Sequence, residues 1–303
     1  MRPLATHSRI AGRPRAALAA AALLLAGVLA LAIGARSAEG EPGDNVVFIL
    51  TDDQALSELA VMPNTRALIG GAGVTFSRAY VPYPLCCPSR ASMLTGEYMH
   101  NHGVRGNGGP LGGWTRFQPH EDDTIATAMQ DDGYYTVHLG KYVNGYAIGP
   151  PNPLPVPEGW SEWYGKISEP DLYQNYSLIE MEFPGDDAEL VFYGDQEQDY
   201  QSDVLGDKAV DFIDSATGAE TPFMVNLWFN APHSPYEPAP RHLFDLSGAA
   251  LPKLQAFDEK DISDKPKWLR KQARKRLPKV LKGEIAAERR RRLEMMISVD
   301  EAV

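Results

Sequence analysis

Cysteine is scarce in this chain, two in 303 residues, which excludes a disulfide-dense scaffold and any cysteine-based zinc framework. No internal repeat is present, and no low-complexity tract follows the N-terminal segment. Positive charge is also scarce where a body should be: residues 37–252 hold nine Lys and Arg against 31 Asp and Glu. Such a surface lacks the phosphate-neutralising side chains of a nucleic-acid binder, so no nucleic-acid partner is expected. Acids are missing from residues 1–36, which carry five Arg, and residues 253–303 reverse the balance with fifteen basic and nine acidic residues. The whole chain is at −11. With 44% hydrophobic and 23% charged residues, there is enough apolar material for a sizeable core, and wholesale disorder is excluded.

The N-terminus has the order of a targeting signal. A basic stretch from Arg2 to Arg15 precedes an apolar run from Ala16 to Ile33, and Ala35-Arg36-Ser37 fits a small-residue cleavage site. A signal peptide over residues 1–37 is expected, with an uncleaved membrane anchor as the alternative. Either places the body, residues 38–303, outside the cytoplasm: secreted, periplasmic or at the cell surface. The other end, Lys279 to Val303, reads as a helix with an apolar stripe at Leu293, Met296, Ile297 and Val299 and no stop signal. The expectation is a chain cut short within this helix, which leaves the stripe uncovered; a plain terminal helix is the alternative. The basic run within residues 265–292 reads as a solvated helix face.

Between the ends, strands and helices alternate. Asn45 to Leu50 is a continuous apolar run, expected as a strand buried on both faces. Helices are expected at Pro63–Ile69, Pro88–Leu94, Asp122–Asp131 and Ser202–Ser215, and strands at Val74–Val81, Tyr134–Leu139 and Pro222–Phe229. Ile148 to Gly159 is a Pro- and Gly-rich loop. The alternation predicts an α/β sandwich with a mostly parallel central sheet flanked by helices. In such sheets sites form at the carboxyl ends of strands. Asp52-Asp53, Lys141 and His233 each follow an expected strand. Singly each has a plain structural reading, as a helix cap, a solvated lysine or a turn histidine; the shared topological position links them.

The segment Leu85-Cys86-Cys87-Pro88-Ser89-Arg90-Ala91-Ser92-Met93-Leu94-Thr95-Gly96 is the most informative. Pro88 is expected to open a helix, which puts Cys86 at a helix N-terminus, where the dipole favours anions and lowers a thiol pKa. Arg90 lies one turn on and can reach an anion held there. A buried cysteine pair before a helix is the structural alternative.

This segment resembles the sulfatase signature C-x-P-S-R followed by L/M-T-G, and the match is complete. The FILTDDQ stretch is similar to that family's first strand and paired metal-binding aspartates, Gly140-Lys141-Tyr142 to its Gly-Lys-aromatic motif, and Asn230-Ala231-Pro232-His233 to the segment bearing an active-site histidine. GEYMHNHGV, KYVN and APHSPYEP look most like the glucosamine-6-sulfatase branch. The resemblance covers about Asn45 to Val303 and implies an alkaline-phosphatase-like fold. It further implies a Cα-formylglycine made from Cys86 by a formylglycine-generating enzyme. Ca2+ would sit on Asp52, Asp53 and residue 86, with Arg90, Lys141 and His233 as catalytic groups and a sulfated carbohydrate as substrate. His100 and His102 are expected to line the pocket, and His138 to be structural. Two departures stand out: Val143 replaces a histidine common in the family, and the further calcium ligands and second active-site lysine of the family have no counterpart before Val303. Two other readings compete. One is a phosphoester or phosphonate hydrolase of the same superfamily, and the other a non-catalytic remnant.

Overall fold

The computed structural model describes residues 43–170, 172–250, 257–272 and 276–303. The expected signal segment lies outside them.

Six strands form one sheet in the order β1-β6-β2-β3-β4-β5. They are β1 Val46–Leu50, β2 Tyr135–Lys141, β3 Glu162–Lys166, β4 Tyr176–Met181, β5 Glu189–Tyr193 and β6 Phe223–Trp228. Strands β1, β6, β2 and β3 are mutually parallel, and β4 and β5 extend the sheet antiparallel. The expected mostly parallel sheet is therefore present. β3, β4 and β5 were not among the expected strands; they carry Glu, Lys, Gly, Ser and Tyr in place of a continuous apolar run.

Period-2 alternation sends the two sides of the central strands into separate cores. Val137, Leu139, Val225 and Leu227 pack with Leu205, Ala209 and Phe212 of helix α3, Gln201–Ala216, and with Met295, Met296 and Val299 of helix α4, Lys279–Ala302. Met224, Trp228 and Trp163 face the other way, onto Cys87, Ala91 and Leu94 of helix α1, Cys86–Thr95, and Ala126 of helix α2, Ile125–Asp131. Helices thus cover both faces, as in a three-layer sandwich. His138 lies in the second core, stacked on Trp163 with ring centroids 4.5 Å apart. Burial pushes its imidazole down to about 3, so it is neutral and structural, as expected.

Three expectations are corrected. Val74–Val81 forms no strand: Val74, Phe76 and Tyr80 are about four-fifths exposed, and among the described residues no strand pairs with them. Alternation alone does not make a strand without a ladder partner. β1 is not buried on both faces. It has β6 on one side only, and Val46, Val47 and Phe48 are partly open. Most of the stripe on α4 is covered: Leu293, Met296 and Val299 are 0–3% exposed, Met296 and Val299 in the core shared with α3 and the sheet, while Ile297 is partly buried. Met295 joins them.

Candidate active site

The carboxyl ends of β1, β2 and β6 meet the N-terminus of α1. Asp52 and Asp53 follow β1, Lys141 ends β2, and His233 lies in the turn after β6. The Asp52 N–H donates to the Ala231 carbonyl at 3.0 Å, which ties the first acidic loop to the histidine segment.

Helix α1 starts at Cys86 itself, two residues before Pro88, and ends at Gly96 in the left-handed region, φ 71°. The Cys87 N–H, unpaired within the helix, donates to Asn107 Oδ1 at 2.9 Å. The two cysteines therefore differ sharply. Cys87 is fully buried and its thiol is pushed up to about 11 by burial, whereas Cys86 is partly exposed at the rim. The ligand atoms of Asp52, Asp53 and Cys86 all lie within 4.8 Å of one another.

Asp52 is only 5% exposed. Lys141 Nζ donates directly to its carboxylate, and Arg90 Nη2 stands 3.6 Å from the same oxygen. Burial opposes ionisation here, but the Arg90 and Lys141 charges outweigh it and hold the carboxyl below its usual range. Arg90, 2% exposed, also donates from Nη1 to the Lys141 carbonyl at 2.6 Å and stacks over Trp228, 5.1 Å from the ring centroid. It therefore ties α1 to the end of β2. His233 Nε2 is 3.8 Å from Asp53 Oδ2, and its pKa is raised, first by a hydrogen bond with the Cys86 side chain.

Gly140 explains the residue before Lys141. It has φ 101°, and a Cβ there would overlap the Trp228 carbonyl and come within 2.9 Å of Leu205 Cδ1. Only glycine lets β2 turn Lys141 into the site while lying against β6.

The two carboxylates fit a hard cation, whereas a cysteine sulfur is a soft donor and residue 86 would join them only through an oxygen. Calcium–oxygen distances of about 2.3–2.6 Å require ligand atoms within roughly 5.2 Å of one another, which the three satisfy. Asn230 Oδ1, buried close by, has no hydrogen-bond partner among the described residues.

Two open cavities flank this centre. One of about 540 Å³ is lined by Asp52, Asp53, Cys86, Ser89 and Arg90. The other, of about 600 Å³, is lined by Lys141, His233, Asn230, Asn144, Trp114 and a glycine-rich wall at residues 108–113. All of Cys86, Arg90, Lys141, His233, Asp52 and Asp53 come together as the sequence led one to expect. His100 and His102 do not join them. His102 is fully buried, accepting the Val104 N–H at Nδ1 and bonding Ser92 Oγ through Nε2 at 3.0 Å, and His100 stacks on Tyr98 at the surface. Their spacing reflects a one-turn helix, Met99–His102, that points away from the cavities. Asn107 and Trp114 were missed; the GNGGPLGGW run that carries them was the available signal. Lys166, in register with Lys141 on the adjacent strand, was missed too, because β3 was not anticipated.

A mostly parallel sheet whose carboxyl edge gathers two acids, a cysteine at a helix start, an arginine, a lysine and a histidine defines the class: the alkaline-phosphatase-like sandwich of the sulfatases. The chain belongs to the sulfatase family, whose family model matches residues 44–302. It is similar to the N-acetylglucosamine-6-sulfatase of Homo sapiens, 35% identical over 99% of this chain and 54% of that relative. Among solved structures, one determined in complex with its substrate D-glucosamine-2-N,6-O-disulfate has a TM-score of 0.60 at 19% identity, covering 86% of this chain and 60% of that one. A phosphonate monoester hydrolase from Silicibacter pomeroyi has a TM-score of 0.57 at 22% identity, covering 86% and 57%. The chain spans about half the length of the human relative.

Proposed function

We propose that this chain carries the catalytic centre of an exported, calcium-dependent formylglycine sulfatase that hydrolyses 6-O-sulfate esters of glucosamine-type sugars. The observation that carries this reading is the convergence of a partly exposed Cys86 at the start of α1 with Asp52, Asp53, Arg90, Lys141 and His233. The 35% identity to a glucosamine-6-sulfatase supports the sugar class. The N-terminal basic-then-apolar segment supports export.

A sulfate monoester resists attack because its sulfur is screened by charged oxygens. Cys86, once converted to formylglycine by a formylglycine-generating enzyme, would supply as its hydrate one hydroxyl for attack at sulfur and a second for release of sulfate. Asp52, Asp53 and an oxygen of residue 86 would hold calcium, which would supply positive charge to the sulfate and lower the hydroxyl pKa. The protein's own groups do the rest. Lys141 presents its ammonium to a sulfate oxygen from the cavity side. Arg90 keeps Asp52 ionised and fixes the end of β2. His233, whose pKa is raised, faces the same centre and would deliver a proton to the departing sugar oxygen. The glycine-rich wall and Trp114 offer a flat and an aromatic surface to the sugar ring.

Mass spectrometry of the Cys86 peptide from the native host tests the modification; unmodified thiol at both cysteines would refute it. Cys86→Ala should abolish activity, whereas Cys87→Ala should retain most of it. Rates on matched sulfate and phosphate esters test the reaction, since phosphonate hydrolases share the fold. A faster phosphate ester would overturn the sulfatase reading. Turnover of a simple aryl sulfate with none of 6-sulfated glucosamine would overturn the substrate alone.

A further inference from the structure

We infer that Arg292, on α4 and far from the cavities in sequence, is a positioning residue for the Asp52-Asp53 loop. The inference rests on the proposed metal role of that loop and adds a residue that no motif contains.

Arg292 is the last of four consecutive arginines, Arg289 to Arg292, in a run whose sequence reads as solvated face. Its guanidinium turns inward. Nη2 donates to the Asp53 carbonyl at 2.5 Å, and Nε and Nη2 engage the two oxygens of Glu58 at 2.8 and 3.1 Å. Glu58 is 3% exposed, and its Oε2 also accepts the Ala55 N–H at 2.8 Å. Arginine and glutamate together close a ring around residues 53–58. The guanidinium further lies 5.6 Å from the Tyr236 ring centroid, in the segment that follows His233.

What the ring holds is strained. Asp53 has φ 65°, a left-handed conformation that a non-glycine residue keeps only where its surroundings over-determine it. That conformation turns the Asp53 carboxylate toward Asp52 and Cys86. Among the described residues, the charged Arg292 donor is the side-chain contact from α4 that fixes the Asp53 carbonyl. The helix itself is anchored elsewhere. The Asp300 carboxylate accepts the Asn64 and Thr65 N–H groups at 2.9 and 2.7 Å, and Glu301 pairs with Arg241 at 2.7 Å. Removing the Arg292 guanidinium therefore releases the loop without undocking α4.

The test is calcium titration by calorimetry on the purified protein and three variants, with amide hydrogen exchange at Asp52 and Ala55 as a metal-independent readout. Arg292→Gln should weaken calcium binding about tenfold or more and speed exchange at Ala55. Arg292→Lys, which keeps the charge but lacks the fork, should show a smaller loss in the same direction and guards against misfolding of the first variant. Arg241→Ala, which cuts the other clamp on α4 and leaves Asp53 untouched, should bind calcium within about twofold of the parent. Equal calcium affinity and equal exchange in the parent and both Arg292 variants would overturn the inference, as would an equal loss in Arg241→Ala. Calcium binding absent from the parent would instead refute the metal reading, while the exchange result would still decide whether Arg292 holds the loop.

Discussion

Asp52→Asn removes the one negative charge that two buried cations share. Arg90 and Lys141 are 2% and 8% exposed, and both address the Asp52 carboxylate. Their remaining hydrogen bonds do not replace it: Arg90 keeps the Lys141 carbonyl at 2.6 Å, a neutral acceptor. Two like charges would then face an amide in a desolvated corner. Removing one partner of a buried ion pair costs about 3–5 kcal/mol, a large part of a total stability of about 5–15 kcal/mol. The pH dependence gives a second handle. The folded-state pKa of Asp52 lies below the unfolded value near 3.8, so its contribution is fully present above that value. It is lost as pH falls through the folded pKa. Urea unfolding at pH 7 in the presence of chelator should show the variant about 3–5 kcal/mol less stable, and the gap between the two proteins should close in acid below about pH 3.8. A variant as stable as its parent at pH 7 would refute the claim that Asp52 is the shared counter-charge.

Three further outcomes are expected. Gly140→Ala should cost about 3 kcal/mol or more in urea unfolding, because it combines positive φ with overlap on the Trp228 carbonyl; a loss under about 1 kcal/mol would show that β2 can shift. His138 binds no proton in the fold until about pH 3, whereas in the unfolded chain it binds one near 6.5, so it costs stability increasingly as pH falls from 6.5 toward 3. The difference amounts to on the order of 4–5 kcal/mol. His138→Phe should flatten that part of the stability curve, and an unchanged acid slope would rule the residue out. Asn107→Ala should cost about 1 kcal/mol through the lost Cys87 N–H bond and lower turnover through a looser start to α1; unchanged turnover would confine Asn107 to stability.

Much of the centre was legible in the sequence because its parts are local. A strand ending in Thr51-Asp52-Asp53, the Gly140-Lys141 step and the Cys86–Gly96 helix are each set by neighbours a few residues away, and strand-end placement brings them to one edge. The type of sheet followed from the same alternation of apolar runs and amphipathic helices. Distant contacts decided the rest. Val74–Val81 has a strand pattern but no ladder to join among the described residues, so pattern alone misled there. His100 and His102 share a motif with spacing suited to a pocket, yet Ser92 and the Val104 N–H claim His102 for the core. The charge state of Asp52 depends on Arg90 and Lys141, 38 and 89 positions away in sequence. Arg292 is indistinguishable from its three arginine neighbours by composition. What singles it out is the docking of α4, which turns one guanidinium of the four onto a strained peptide 239 residues earlier. Sequence sets which side chains are available and their local backbone conformation; only packing of remote segments, which excludes water and pairs charges, decides which of them share a site.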